Sequence, residues 1–570
     1  MAAAGNGDRV WIAEGTYIPV AIGGRETTSE DRAISFVIPS GVEVYGGFAG
    51  DESDLSERDY PNNQTILSGN IGEETAGDNS FHVVNITGTT ANTVLDGLTI
   101  SDGRADDGNA ASSGLGNNDG GGIFGSNNAS ATIRNSLITN NNASDDGGGL
   151  VTGESSSPNI INTVFSDNSA DSVGGGIYFQ NSDSPNITSS LFFDNASQFG
   201  GAIYHDAFNS GIVSFLEITN STFVNNIAGD GDSLNVNKYS DSDTELIENS
   251  IFWNTEGRDN QQIFQFNRFG DSLATINNSI IPGSYEREGS ANNIADNPLF
   301  FDPENNDFRL QLASPGINAG DNEAINLDQD IENNPRIFNS TVDIGAYEYG
   351  VLMNIADVTI EEGDAETTNA VFEVTLLDSL GNPPNEEITV NYTTVDDSAV
   401  AGSDFTATAG TLTFNVGESV QRISVPVTGD EIIESTERFF VELSGVTGNA
   451  AIVDGQAIGT ITNDDIPKEI SIGDIAVAEG NEAETAFVFT LSLNEPYVEN
   501  ITVDYNTVEN NATAGDDFIA IDGTVTFEPG ETEKTVSVLV NKVTSVTIRW
   551  SLPSLSMQPP KTPSPSTTAP

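Results

Sequence analysis

The side chains with chemistry to offer are carboxylates gathered at turns, and they fall in two regions. Beyond residue 350, acids cluster at the turns of a segment that occurs twice. Crowded carboxylates repel one another unless a cation sits between them. Calcium suits such places, because it takes six to eight oxygens from carboxylates and carbonyls on adaptable loops. Before residue 350, Asp119, Asp145, Asp146, Asp167, Asp171 and Asp194 stand at turns. A glycoside hydrolase needs two or three carboxylates converging across a bond, and these acids could offer that, as could any acidic turn row. A uronate lyase would need an Arg or Lys as well. Arg134 lies in a strand, but neighbouring coils put no basic residue in its column. Arg258 and Arg268 lie near Trp253 in sequence and could line a sugar-binding face. His205-Asp206 is the only His-Asp neighbour pair, and adjacent residues of a strand point to opposite faces. His82, before Val83-Val84, is expected to be packed or exposed rather than catalytic. The expectation is a protein that is not an enzyme.

Charge and composition narrow the partners. The chain has 86 acidic and 19 basic residues, a formal charge of −67. Nucleic acid is excluded as a partner, since phosphate contacts need a basic face. Anionic membrane surfaces are disfavoured for the same reason. Such charge opposes compaction unless bound cations or solvent screen it. There is no cysteine, hence no disulfide, thiolate metal site or thiol nucleophile. No apolar run is long enough to span a membrane. Residues 1–8 have no apolar signal-peptide core before Arg9-Val-Trp-Ile begins a strand. The expectation is a start lost together with an export signal.

Those turn acids need a scaffold, and the first 350 residues show one. Gly120-Gly-Gly-Ile-Phe is followed by Gly147-Gly-Gly-Leu-Val, Gly174-Gly-Gly-Ile-Tyr and Gly200-Gly-Ala-Ile-Tyr, a period of about 27 residues. Between them run Ile133-Arg-Asn-Ser-Leu-Ile, Ile160-Ile-Asn-Thr-Val-Phe, Ile187-Thr-Ser-Ser-Leu-Phe and Ile218-Thr-Asn-Ser-Thr-Phe. Each unit holds two or three strands with period-two alternation. One coil cannot bury its apolar face alone, but stacked coils can. The pattern predicts a parallel β-helix. Ile133, Ile160, Ile187 and Ile218 form one interior column; Ile138, Phe165, Phe192, Phe223 and Phe252 form another. Asn141, Asn168, Asn195 and Asn226 recur at one turn, where Asn tolerates a left-handed backbone and can ladder with its neighbours. Tyr178, Tyr204, Phe264, Phe266 and Phe269 could contact sugars if they face out, but the alternating ones are expected to fill the interior.

The same region resembles the right-handed parallel β-helix superfamily of the pectin lyases, and more closely bacterial surface proteins of the autotransporter-like β-helix type. The resemblance rests on Val10-Trp-Ile-Ala-Glu-Gly-Thr-Tyr-Ile-Pro, Val42-Glu-Val-Tyr-Gly-Gly-Phe, Thr65-Ile-Leu-Ser-Gly-Asn, Asn297-Pro-Leu-Phe, Ser314-Pro-Gly-Ile-Asn-Ala-Gly and Val342-Asp-Ile-Gly-Ala-Tyr-Glu. It covers most of residues 8–349. It implies a rigid, extended face for glycans or surface proteins.

From residue 351 the tandem segment begins. Ile388-Thr-Val-Asn-Tyr-Thr-Thr recurs as Ile501-Thr-Val-Asp-Tyr-Asn-Thr, Ala401-Gly-Ser-Asp-Phe as Ala514-Gly-Asp-Asp-Phe, and Gly410-Thr-Leu-Thr-Phe as Gly523-Thr-Val-Thr-Phe, all at an offset of 113. Short strands separated by Gly, Asn, Asp and Pro turns predict an immunoglobulin-like β-sandwich. Glu361-Glu-Gly, Val390-Asn-Tyr-Thr-Thr, Gly429-Asp-Glu with Glu437-Arg-Phe, and Thr460-Ile-Thr-Asn-Asp-Asp resemble the Calx-beta domain. The resemblance implies calcium ligands on loops at one end of the sandwich. Matched motif to motif, these are Glu362, Asp396, Asp430, Glu434, Glu437, Asp464 and Asp465, with Glu479 and Glu509 in the second copy. Asp464-Asp465 lies between the copies, where an ion could stiffen the joint. Asp404 is expected to form a turn rather than bind metal.

The second copy follows the first as far as Asn541; Lys542 then opens a tail with no acid and six prolines. Such sequence cannot build the missing strands, and a reading-frame error near position 542 is the expected cause, with a genuine Pro/Ser-rich stalk as the alternative. The organisation expected is therefore all-β: a right-handed parallel β-helix over 1–350, a complete Calx-beta sandwich over 351–465, a truncated one over 466–541, and a disordered Pro/Ser-rich tail over 542–570. The expected role is non-enzymatic: a calcium-binding extracellular or cell-surface protein serving adhesion, matrix or cell communication, with no direct insertion into membranes. The alternative is a secreted polysaccharide lyase or hydrolase with accessory Calx-beta modules.

Overall fold

The computed structural model describes residues 4–20, 31–72, 76–107, 115–153, 155–180, 184–207, 214–238, 244–255, 262–267, 274–283, 289–338, 340–364, 366–430, 432–467, 469–478, 484–497 and 500–541. The fold is all-β, as the alternating pattern predicts. The chain divides into two compact units, one of residues 1–360, 369–426 and 438–460, the other of 361–368, 427–437 and 461 onward. Among the described residues, no helix is long and apolar enough to cross a membrane.

Among the described residues, the first unit opens with three parallel sheets of nine, eight and eight strands, which receive one strand per coil, and a short fourth parallel sheet of three strands. In the nine-stranded sheet, the strands Thr132–Arg134, Asn159–Ile161 and Asn186–Thr188 pair in strict register. That register stacks Ile133, Ile160, Ile187 and Ile218, all fully buried. The second sheet stacks Ile138 on Phe165. The rings of Phe165, Phe192, Phe223 and Phe252 then stack at 4.9, 4.7 and 4.6 Å, nearly parallel. Each such pair is worth roughly 0.5–1.5 kcal/mol beyond its buried area.

The turns are saturated by like-on-like hydrogen bonds. Asn141 Nδ2 donates to Asn168 Oδ1 at 3.0 Å, Asn168 to Asn195 at 3.0 Å, and Asn195 to Asn226 at 2.9 Å. A second file runs alongside: the backbone N–H groups of Thr163, Ser190, Ser221 and Ser250 each donate to the hydroxyl of the serine one coil on. The ladder asparagines are not the left-handed residues, contrary to the sequence expectation. The residue before each of them is, namely Asn140, Asp167, Asp194 and Asn225, with φ of 57, 54, 53 and 53°. Side-chain amides that must point at the next coil come from regular backbone, and the chain turns one residue earlier.

Residues 299–349 have no coil period, and they pack back on the outer face of the second sheet. Phe300, Phe308, Leu310 and Ile344 bury themselves against Leu191, Val224 and Ile251. Ala346 N donates to Thr222 Oγ1 at 2.9 Å, and Tyr60 Oη donates to Asn333 Oδ1 at 2.9 Å.

The sandwich strands that follow form a four-stranded and a five-stranded sheet. The strand Ile388–Asp396 is central, pairing antiparallel with Ala409–Phe414 on one side and Glu437–Ser444 on the other. Phe372, Phe405 and Phe439 pack as its core, the rings of Phe372 and Phe405 lying 5.8 and 4.4 Å from Phe439. Tyr349 Oη donates to Asp378 Oδ2 at 3.2 Å, tying the end of the helical region to this sandwich.

In the second unit, residues 470–541 form a three-stranded sheet and a two-stranded one. Here Ile501–Asn506 pairs with Asp522–Phe527. Among the described residues it has no second neighbour, where its counterpart Ile388–Asp396 has two.

Candidate metal centre

Three loops of the second unit are drawn together by backbone contacts. Glu362 N donates to Thr462 O at 3.1 Å, and Gly363 N donates to Asp464 Oδ1 at 3.0 Å. A Cβ on Gly429 would lie 2.1 Å from the Gly363 carbonyl oxygen, so only glycine allows the two loops to touch. Gly363 itself has φ of +82°, open to glycine at no steric cost. Asn463 ties the third loop in, accepting from Glu434 N at 2.8 Å and donating to Asp465 O at 2.9 Å.

This framework brings carboxylate oxygens of Glu362, Asp430 and Asp465 within 4.8 Å of one another. Glu362 is only 6% exposed. Its pKa is pushed up to about 7, first by burial, then by the charges of Asp430, Glu434, Asp465 and Asp464. Burial and like charge both disfavour the ionised form. The donors are all oxygens on loops, which fits a hard cation such as calcium and not a soft one. Asp430 is also pre-aligned, its Oδ1 accepting from Ile432 N at 2.6 Å.

The other residues singled out from sequence fall in different places. Glu434 and Glu437 lie close by, with carboxylate oxygens within 4.8 Å of each other. Asp396 Oδ1 accepts from Ala401 N at 3.0 Å, and Asp404 Oδ2 accepts from Val400 N at 2.7 Å. The second copy repeats this loop, with Glu509 Oε1 accepting from Ala514 N at 2.7 Å and Asp517 Oδ2 from Thr513 N at 2.7 Å. Glu479 lies outside the described residues. Sequence reasoning missed Asn463 and the Gly363–Gly429 approach. Both sit inside quoted motifs, but only the contact reveals their work.

The helical region gathers a second acid cluster. Asp119, Asp145 and Asp146 have carboxylate oxygens within 4.8 Å of one another. Burial, with the charge of Asp145 adding to it, pushes Asp146 up to about 7 and Asp119 up to about 6. Asp206, raised by burial to about 6, lies on the strand Ile203–Ala207. Of the six turn acids, Asp167 and Asp194 instead occupy left-handed turn positions. Arg134 makes an ion pair with Asp96 at 2.6 Å, and Arg58 makes another with the same carboxylate at 2.8 Å. Arg134 is thus tied into a structural ion-pair group. His205 is fully buried with Nε2 2.8 Å from Ser214 Oγ, and His82 Nδ1 is 3.0 Å from Gly120 O. Tyr178 and Tyr204 do not fill the interior. They alternate with the core residues Ile177, Phe179 and Ile203 and pack on each other outside, 5.7 Å apart. Arg258, Arg268 and Phe269 lie outside the described residues, as do the side chains of Phe264 and Phe266.

Comparison with known proteins bears on the loop cluster. Two stretches match the Calx-beta domain: residues 354–465 and residues 470–547. The second match runs past Asn541, where the internal repeat correspondence ends. Among curated relatives, sodium/calcium exchanger 3 of Mus musculus is 27% identical over 181 residues, covering 28% of this chain and 20% of the exchanger. Sodium/calcium exchanger 1 of Rattus norvegicus is 27% identical over 236 residues, covering 38% and 22%. The chain thus spans about a fifth of the length of these relatives. Among solved structures, the apo-form Calx CBD1 domain is 25% identical with a TM-score of 0.18, covering 20% of this chain and 99% of that one. The calcium binding domain CBD12 of CALX1.1 is 24% identical with a TM-score of 0.23, covering 32% and 74%. The β-sandwich modules beyond residue 350 are Calx-beta modules; the parallel β-helix before them is matched by its sheets and not by a family.

Proposed function

We propose that this is a non-enzymatic, calcium-binding modular protein of the extracellular space or cell surface. In this reading the β-helix displays an extended face to glycans or surface proteins, and the Calx-beta loops bind the ion that sets their rigidity. The observation that carries it is the covered Glu362 carboxylate facing Asp430 and Asp465. The loops that carry these acids are tied together by backbone contacts, which brings their carboxylate oxygens within 4.8 Å of one another. Glu362, Asp430 and Asp465 would hold the ion, with Asp464 and Glu434 at its edge. Asp396 and Glu437 belong to the wider ligand set of this module, and Glu479 and Glu509 to the corresponding set of the second copy. Bound calcium supplies the positive charge that lets these carboxylates stay ionised together. An adhesive, matrix or cell-communication role follows from the modular build. Calorimetric titration of calcium into the full chain tests this, beside the Asp430→Asn/Asp465→Asn variant. Binding that the double variant loses supports the reading; equal heats in both would sink it.

A second reading is a glycan-cleaving enzyme with accessory Calx-beta modules. Asp119, Asp145 and Asp146 favour it, because a hydrolase needs converging carboxyl groups, one of them with a raised pKa to act as the acid, and burial raises both Asp119 and Asp146. Reducing-end release from polysaccharides by the full chain, abolished in Asp146→Asn, would decide for it.

A further inference from the structure

Trp253 closes the strand Ile251–Trp253 and forms one wall of a cleft of about 350 Å³. Leu299, Phe300, Gln311, Asn297 and Thr255 also line it. The volume lies within the range of small-molecule sites. Three features give the cleft a chemical character.

Its lining is uncharged. No Asp, Glu, Lys, Arg or His is among the described residues that line it, in a chain with 86 acids. A uronate or phosphate would find no cation there and would approach against a field of −67. Its polar groups are anchored yet keep bonding capacity. Asn297 Oδ1 accepts from Leu299 N at 2.8 Å, which leaves Nδ2 to donate. Gln311 Nε2 donates to Phe300 O at 2.8 Å, which leaves Oε1 to accept. Thr255 Oγ1 donates to Asn225 Oδ1 at 2.9 Å and keeps its lone pairs. Fixed donors and acceptors beside one another suit hydroxyls, which do both. Finally, Leu299 is held with φ of 55°. A bulky residue rarely adopts that conformation, and such strain concentrates at ligand sites.

We propose that this cleft binds one unit of a neutral glycan, its apolar face on the Trp253 indole and its hydroxyls on Asn297, Gln311 and Thr255. The inference rests on the helical region being a display surface and is independent of the calcium loops.

The test uses the full chain, with tryptophan fluorescence and calorimetry against cellotetraose, laminaritetraose, mannotetraose and xylotetraose. Trigalacturonate serves as the charged comparison, and each titration is run in calcium and in EGTA. The expected result is binding of at least one neutral probe, unchanged by EGTA, weakened at least tenfold in Trp253→Ala and in Gln311→Glu, and kept in Trp253→Phe and Trp11→Phe. Retention in Trp253→Phe separates loss of contact from loss of fold. Neutral probes that bind equally well to Trp253→Ala would place the glycan face elsewhere, leaving the display reading standing and this cleft refuted. No binding by any neutral probe, or preference for trigalacturonate, would overturn the proposal outright.

Discussion

The turns of the β-helix and the loops of the first Calx-beta module are both crowded with polar side chains, yet they treat them in opposite ways. In the helix, Asn141, Asn168, Asn195 and Asn226 are neutral and each supplies what the next one needs. Their file is closed and buried, and nothing is left over for a ligand. In the module, Glu362, Asp430 and Asp465 are all acceptors when ionised, and they face one another. Burial and the charges of its acidic neighbours hold the Glu362 proton on to about pH 7. Self-satisfied polar groups make structure; groups that repel one another at close range mark a place where something else must come.

The contrast can be broken most forcefully in the helix. Phe192→Ala removes a ring stacked on both Phe165 and Phe223. It should cost about 3–5 kcal/mol, read as a lower denaturation midpoint that calcium does not restore. Asn168→Ala comes next. It removes the side-chain acceptor of the Asn141 backbone N–H and the side-chain donor to Ile138 O, and each buried unsatisfied group costs about 1–3 kcal/mol. Chemical denaturation with and without calcium should give the same loss; a loss that calcium repairs would erase the distinction between the regions.

Smaller effects with a distinctive sign belong to the module. The Glu362 carboxyl has its folded pKa raised from 4.5 to about 7. Between those values the folded state binds a proton that the unfolded state has released, so stability falls as pH rises through that window. In EGTA, the melting midpoint of the module should therefore drop from pH 4.5 to pH 7 and level off above. In calcium the drop should vanish, making the ion's stabilisation largest above pH 7. Glu362→Gln should flatten the pH slope in EGTA, stabilise the module slightly at pH 7.5 in the absence of calcium, and weaken calcium binding. A variant that lost stability in EGTA would mean the carboxylate is a structural acceptor and not a frustrated ligand.

The sequence carried these regions unequally. The Ile133–Ile160–Ile187–Ile218 and Phe165–Phe192–Phe223–Phe252 columns were legible because a stacked coil forces one spacing on every interior position. The left-handed residues were displaced by one, because spacing alone cannot tell which of Asn140 and Asn141 turns the chain. Residues 299–349 were legible as a motif but not as a cover for the second sheet, since that contact is long-range and has no period. Glu362, Asp430 and Asp465 were legible through motif correspondence. That Asn463 braces their loops, and that Gly429 must lack a side chain, depends on distances no spacing encodes. Tyr178 and Tyr204 misled, because alternation fixes which residues share a face but not which face is inside.

Amide hydrogen exchange of the full chain, with saturating calcium and with EGTA, tests the central claim most directly. The prediction is that calcium slows exchange in residues 361–368, 429–437 and 461–466 at pH 7.5 and leaves the Asn141–Asn226 coils unchanged. Equal exchange in those loops with and without calcium, at concentrations up to the millimolar range of extracellular calcium modules, would contradict it.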